Sequence, residues 1–491
     1  MFKNLFKILS FILFSLCLQY KAYCQDTLSV VKIGHISSDS LFKLVYVPIV
    51  IPGGIKEIQV KEIYTESGDP TKNVLNIGIF DSRGHDVGNP LGFRGWSGGS
   101  KKYFFINSSN ASPGYLQGKI SSGIWHVLIY PSTITSSGLD WRLEIKLVKG
   151  EDQSAEPEGL SANDSINNKP GWYRGDLHTH TLHSDGKRNE QDLVNEAKVK
   201  NLDYIISTEH NTNSANQNWG KYQAGTDLLI INGEEVTTTE FGHWNAIGLK
   251  ADTYIDWRYS PEDNRIAGMV DKVHRDGGLA IINHPFYHVK LINSFKYEVE
   301  LFDGIEVWNG KWNKLNNLAL IWWDELLRKG HKIIAIGASD THKTSGSPNN
   351  LGEPQTVVFA AQLSKQGIMD GIKKGRVYIT SNDRISLHFT AKSGKKNAEL
   401  GDNLSLKSNQ KVGLLLDIKN CKNHKVILID ENGILKSRLI ESGDESLQWS
   451  FKDFRSKFVR IEVRTTDDLL VAMTNPIFFT SDIEGETPAK R

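Results

Sequence analysis

Apolar residues recur along this chain in two rhythms, and the change of rhythm marks its organisation. Between residues 30 and 150 they alternate with polar ones in short runs, among them Phe42-Lys43-Leu44-Val45-Tyr46-Val47, Ile58-Gln59-Val60 and Trp125-His126-Val127-Leu128-Ile129-Tyr130, separated by clusters of Gly, Pro, Asn and Ser. Side chains on an extended chain point to opposite faces in turn, so this pattern predicts strands with one buried face, arranged as an antiparallel sandwich-like domain over residues 30–150. Residues 151–170 are almost without apolar positions and read as a linker. From 171 to 381 the apolar runs become continuous, at 204–207, 228–231, 279–282, 304–309, 333–336 and 376–380. Amphipathic stretches at 187–201, 261–275, 315–328 and 364–374 separate them. Strands buried on both faces and alternating with helices predict an α/β fold, a parallel sheet closed or nearly closed into a barrel, with its site at the carboxyl ends of the strands. Alternation returns at 412–418, 425–429 and 458–463, with Asn432-Gly433 as a hairpin turn. Residues 382–480 are therefore expected to form a second sandwich-like β domain, followed by a polar tail at 481–491.

Length and charge narrow the picture. A chain of 491 residues exceeds what one hydrophobic core serves, so two to four domains are expected. A net charge of +1 with no basic block makes neither nucleic acid nor an anionic membrane surface the expected partner. At the amino end Lys3 and Lys7 precede an apolar run at 8–18 and then Ala22-Tyr23-Cys24, the layout of a secretory signal over residues 1–24. The run is too short to span a bilayer comfortably, so an exported protein, periplasmic or extracellular, with no transmembrane segment after cleavage is expected. Bulky neighbours before Cys17 and Cys24 disfavour a lipid anchor there. Cleavage would leave Cys421 alone, without an intramolecular disulfide, and packing would have to supply the stability. Cys421, with no base nearby in sequence, reads as a buried strand residue rather than a nucleophile.

The candidate chemistry sits where the strands end. His178 and His180 lie two apart on an extended segment, so both imidazoles face one side, and Ser184-Asp185-Gly186 returns a carboxylate on a tight turn. Imidazole beside a hard oxygen donor suits zinc, manganese or iron. Further groups follow at strand ends: Glu209-His210-Asn211, Glu234-Glu235, His243, Asn283-His284-Pro285 and Asp340-Thr341-His342. One histidine alone is usually a core or surface residue; so many donors at strand ends point to a metal centre. Lys187, Lys343 and Arg376 could add positive charge near an anionic group. The glycine-rich stretch Gly92-Phe93-Arg94-Gly95-Trp96-Ser97-Gly98-Gly99 admits two readings, a tight connection with a packed tryptophan or a loop reaching a neighbouring active site.

Through His178-x-His180, Ser184-Asp185-Gly186, Glu209-His210-Asn211, Gly233-x-Glu235, Asn283-His284-Pro285 and Asp340-x-His342, the chain resembles the PHP family, named for polymerase and histidinol phosphatase. The flanking β regions, with the glycine-rich stretch and Thr474-Asn475-Pro476-Ile477, resemble an exported branch that includes carbamate-type ester hydrolases. The resemblance implies a distorted (βα)7-type barrel with two or three divalent ions, Zn, Mn or Fe. It places His178, His180, Glu235 and Asp340 around one ion, with Glu235 bridging to a second held by His284 and by His243 or Asn245. Asp185, His210 and His342 would hold a third. Glu235, Asp340 and His284 are the residues it implies for catalysis; His183 and His288 would lie outside the ligand set, as would Glu209 and Glu234. The expected function is hydrolysis by a metal-bound hydroxide, foremost of phosphate esters in a small-molecule or oligomeric substrate. Hydrolysis of carboxylic ester, amide or carbamate bonds is the alternative. A non-catalytic metal- or glycan-binding surface protein would not need so many ligands.

Overall fold

The computed structural model describes residues 27–66, 72–151, 161–287, 295–343, 349–407 and 410–481. The expected signal, residues 152–160 of the expected linker and the tail beyond residue 481 lie outside the described residues; the rest of the linker is not without structure, because Ser165–Asn167 forms a short strand paired antiparallel with Leu363–Ser364.

Two four-stranded antiparallel sheets account for the first 150 residues. One runs Thr27–Ile36, Leu139–Lys149, Ile55–Tyr64, Tyr103–Asn107, the other Val45–Ile51, Gly123–Thr133, Val74–Phe80, Phe93–Gly98. Their inward residues, including Ile58, Val60 and Ile145 from the first and Ile49, Ile77 and Trp125 from the second, share one core. The strand Phe93–Gly98 is covered on its outer face too, because Phe93 stacks on Tyr254 at 3.7 Å and Trp96 meets Trp257 at 4.9 Å between ring centroids. That edge of the amino-terminal unit therefore lies against the central part of the chain.

The central sheet runs Ile334–Ala338, Gly304–Asn309, Leu279–Ile282, Gly242–Ile247, Leu229–Thr238, Tyr204–Ser207, Gly171–Thr179, Gln355–Ala360, Val377–Thr380. It is mixed, not parallel throughout. Pairing is parallel from Gly171–Thr179 through Leu229–Thr238 and again from Leu279–Ile282 through Ile334–Ala338. Leu229–Thr238 and Gly242–Ile247, by contrast, form an antiparallel hairpin, since their connection is too short for a crossover. Gln355–Ala360, absent from the apolar runs singled out in the sequence, pairs antiparallel with both its neighbours. At the carboxyl ends the first and last strands of the parallel set meet, where the His180 N–H donates to the Thr341 carbonyl at 3.1 Å. The helices Glu190–Val199, Lys314–Arg328 and Lys365–Lys373 begin where Asn189, Asn313 and Ser364 side chains accept backbone N–H groups of the first turn.

The same ladder continues past residue 382, from Val377–Thr380 to Leu470–Thr474, Phe458–Arg464, Lys425–Asp430 and Gly433–Leu439. A second sheet of Lys396–Glu399, Ser386–Ser393, Val412–Lys419 and Glu445–Phe451 packs on it through Phe389, Leu416, Val426 and Val459. Asn475 ties this region to the central sheet, accepting from the Ala335 N–H at 2.9 Å and donating to the Ala335 carbonyl at 2.8 Å. Cys421 is buried among these strands, and burial raises its thiol pKa to about 12. No helix among the described residues is long and apolar enough to cross a membrane.

Candidate metal centre

Each donor reaches the site by a local backbone device. After His180 the chain turns so closely on itself that a Cβ at Gly186 would lie 2.6 Å from the His180 carbonyl carbon, so the Ser-Asp-Gly turn needs its glycine. Glu209 holds the near side of that turn, accepting from the Thr181 N–H at 2.9 Å, the Thr181 hydroxyl at 2.6 Å and the Ser184 hydroxyl at 2.6 Å. A parallel bridge sets His210 beside Glu235. Asn211, His284 and Asp340 have φ of 55°, 22° and 52°, in a region that non-glycine residues rarely enter. Such strain persists only where surrounding structure over-determines it, and here it turns two of the donors, His284 and Asp340, inward at the ends of their strands.

Glu235 is the centre of the arrangement. Its Oε2 lies 3.2 Å from His178 Nε2, 3.5 Å from His180 Nε2 and 2.8 Å from His210 Nδ1. Its Oε1 lies 3.1 Å from His243 Nδ1 and 3.2 Å from His284 Nε2. Asp340 Oδ1 is 3.4 Å from His178 Nε2 and 3.2 Å from His180 Nε2. On the far side of His180, Asp185 Oδ1 is 3.1 Å from His342 Nε2 and 3.5 Å from His210 Nε2. All the donors anticipated from the sequence converge. Asn245, the alternative to His243, is buried and donates to the Leu177 carbonyl at 3.4 Å.

The donor set fits cations. His178 Nε2, His180 Nε2, Asp185 Oδ1 and Glu235 Oε2 are all buried without a hydrogen bond of acceptable geometry. Buried polar atoms ordinarily find partners, and imidazole nitrogens facing carboxylate oxygens are what a borderline divalent ion takes. Donor atoms of His180, Asp185, His210 and His342 lie within 4.8 Å of one another, as do those of His178, His180 and Glu235, and those of Glu235, His243 and His284. The electrostatics separate the carboxylates from the imidazoles. Burial opposes ionisation of Glu235, but His210 and His178 outweigh it and hold its pKa well below the usual carboxylate range. The same contest, with His178 foremost, keeps Asp340 ionised. Burial, reinforced by His342 and His210, lowers His180 to about 3, and burial lowers His243 to about 4 against the pull of Glu235. Against burial, the neighbouring carboxylates Asp340, Glu235 and Asp185 raise His178, His284 and His342 above the ordinary imidazole value and His210 to about 9, so those four hold protons that a bound cation would displace.

Sequence reasoning missed Glu306. This carboxylate, buried on the strand Gly304–Asn309, lies 3.0 Å from His178 Nδ1 through Oε1. Its Oε2 accepts from the His284 N–H at 2.9 Å and from Asn309 Nδ2 at 3.0 Å. It turns His178 Nε2 toward Glu235 and orients the backbone of His284. An acidic residue within an otherwise apolar strand was its one sequence signal. His183 has both ring nitrogens engaged, Nε2 with Glu190 and Nδ1 with Ser214, each at 2.8 Å. Glu234 turns away from the donors and accepts from the Ile255 N–H at 2.9 Å. Lys187 and Lys343 line the same cavity as Asp185, His210, His243 and His342, whereas Arg376 faces Asp402 at 3.6 Å. His288 lies outside the described residues. Both readings of the glycine-rich stretch hold in part, because Trp96 is packed and yet, with residues 97–100, walls that cavity.

No family model matches the chain. An uncharacterized protein of Methanocaldococcus jannaschii is 29% identical over 161 residues, 30% of this chain and 89% of that protein. Among solved structures, a two-domain protein of Bacteroides vulgatus, described as containing a predicted PHP-like metal-dependent phosphoesterase, shares 20% identity. It is similar over 66% of this chain and all of its own, with a TM-score of 0.37. An amidohydrolase from Chromobacterium violaceum with bound sulfate shares 14% identity over 35% of this chain and 88% of its own, with a TM-score of 0.27. The donor geometry, not these resemblances, carries the functional reading.

Proposed function

We propose that this chain is an exported metal-dependent hydrolase of phosphate esters, small-molecule or oligomeric. Its architecture would be a distorted (βα)7-type barrel flanked by two β-sandwich-like domains. The observation that supports the reading most is Glu235, one carboxylate whose Oε2 faces His178 and His180 and whose Oε1 faces His243 and His284. A bridging carboxylate is how paired divalent ions are held close together. His178, His180, Glu235 and Asp340 would hold one ion, Glu235, His243 and His284 a second, and Asp185, His210 and His342 a third. Zn, Mn or Fe suits the donors. Ions bound there would lower the pKa of coordinated water and polarise the scissile group. Glu235 and Asp340 supply the negative charge that keeps such ions together, and His284, 3.2 Å from Glu235 Oε1, would complete the donors of the second ion.

The site opens into a cavity of about 730 Å³, walled by Trp96 and Tyr130 on one side and by Lys187 and Lys343 beside the histidines on the other. Two ammonium groups next to the donors would receive a phosphoryl group better than a neutral carbonyl, which favours phosphate esters over carboxylic esters, amides or carbamates. Phosphomonoester, phosphodiester, carboxylic ester, amide and carbamate substrates assayed with added Mn or Zn test this. Metal-dependent release from a phosphate ester is expected; turnover confined to carbonyl substrates, or to none, would overturn it.

A further inference from the structure

The amino-terminal unit reaches the metal centre through two polar side chains that neither the motifs nor the proposed chemistry use. Ser100 and Lys101 follow the strand Phe93–Gly98 after Gly99. Lys101 Nζ donates to the Leu182 carbonyl at 2.6 Å and to the Ser184 carbonyl at 3.0 Å, and the Ser100 hydroxyl donates to the same Ser184 carbonyl at 2.9 Å. Between those carbonyls lies His183, pinned on both ring nitrogens. Gly114, at φ +98°, passes so close that a Cβ there would lie 2.9 Å from the His183 carbonyl oxygen. The Thr212 hydroxyl in turn donates to the Gly114 carbonyl at 3.0 Å. Asp185 comes next in the chain. It is nearly half exposed, yet its Oδ1 is buried and reaches His210 and His342. From the barrel side its neighbourhood is held by Glu209 on Ser184 and by the Lys187 N–H on the His342 carbonyl at 2.7 Å. The outer side of the turn is held by Lys101 and Ser100.

We propose that Lys101, with Ser100, is a positioning residue for the third ion, holding the Leu182 and Ser184 carbonyls so that Asp185 meets His210 and His342. An ammonium chelated by two carbonyls two residues apart fixes the backbone between them, and with it the direction in which the following side chain leaves. The β unit ahead of the barrel is thereby a structural part of the metal centre. The inference rests on the ion assignment proposed above, but its test reads metal binding and does not depend on which ester is cleaved.

The experiment uses the full chain, with Mn and Zn titrated against a chelator and counted by mass spectrometry in the wild type, Lys101→Met, Ser100→Ala, Lys101→Arg and, as reference, Asp185→Asn. Asp185→Asn is expected to lose one metal equivalent. Lys101→Met should weaken that same equivalent by about tenfold to a hundredfold, the usual effect of removing a residue that supports a ligand. Excess Mn should restore it, and the other equivalents should keep their affinity. Ser100→Ala should give a smaller shift, about threefold to tenfold, the worth of one neutral hydrogen bond. Lys101→Arg, which keeps a donor fork, should lie nearer the wild type. Wild-type affinity for every equivalent in Lys101→Met overturns the proposal, as does an Asp185→Asn protein that loses no metal. Should circular dichroism show Lys101→Met unfolded, an unchanged Ser100→Ala does the same. A protein that binds its ions as expected but cleaves no phosphate ester refutes the proposed function and leaves this inference standing.

Discussion

Replacing Glu306 by glutamine tests the carboxylate that orients His178 and His284 while leaving all the donors anticipated from the sequence in place. Three N–H groups converge on its two oxygens: His178 Nδ1 at 3.0 Å, the His284 backbone at 2.9 Å and Asn309 Nδ2 at 3.0 Å. Glutamine keeps the shape but has one acceptor oxygen and one amide nitrogen, so one edge of the side chain now presents donors to donors. If the remaining oxygen stays on His178, that bond loses its charge assistance, about 1 kcal/mol, and the buried His284 N–H is stranded at a cost of about 1–3 kcal/mol. Some relaxation of Asn309 will offset part of this, leaving about 2–3 kcal/mol, which is roughly a 30- to 150-fold loss of affinity for the ions held by His178 and His284. Chelator competition with Zn and Mn near neutral pH measures the affinity, and near-ultraviolet circular dichroism checks that the fold is intact. A folded Glu306→Gln protein that binds its ions within about threefold of wild type would refute the reasoning, because three buried donors would then be satisfied without the charge.

Glu235→Gln takes one negative charge from both bridged positions and is expected to abolish turnover and lower metal content; near-normal activity in a folded variant would show that the bridge is elsewhere. His342→Ala should lose about one metal equivalent, whereas Asp340→Ala, which removes the oxygen between His178 and His180, should cost more activity by disturbing the bridged pair; mass spectrometry of purified variants with a rate assay separates the two. In the amino-terminal core both oxygens of Glu62 are buried without a hydrogen bond, and burial, partly offset by Lys102, raises its pKa from 4.5 to about 8. The folded state then binds the extra proton between those values, so wild-type stability falls as pH rises through that window and levels off above it. Glu62→Gln should gain on wild type by on the order of 3–4 kcal/mol from about pH 5 to about pH 8, and a pH-independent difference in denaturant unfolding would contradict the assignment.

Sequence alone determined the features that depend on neighbours a few residues away. Strand and helix periods are local properties, so the strand Tyr204–Ser207 and the helix Lys314–Arg328 fall within a residue of where the apolar pattern puts them. The placement of His178, His180, His210, Glu235, His284, Asp340 and His342 at strand ends was equally legible, because a donor after an apolar run is a one-dimensional fact. Tertiary structure alone decided which edges pair and which buried group answers which. Periodicity could not tell Glu306 from Glu234, since both are acids within apolar strands; the first meets His178 and the second the Ile255 N–H only once the sheet has curled. The Asn432-Gly433 hairpin was legible to within one position, for the ladder pairs Asp430 with Gly433 and leaves Glu431 and Asn432 as the turn. The reach of Lys101 across some 80 residues to the Leu182 carbonyl left no trace in the pattern. A lysine in a glycine-rich turn is ordinary in sequence. Its role comes from the packing of Phe93 and Trp96 against Tyr254 and Trp257, a contact between distant segments that a local rhythm does not encode.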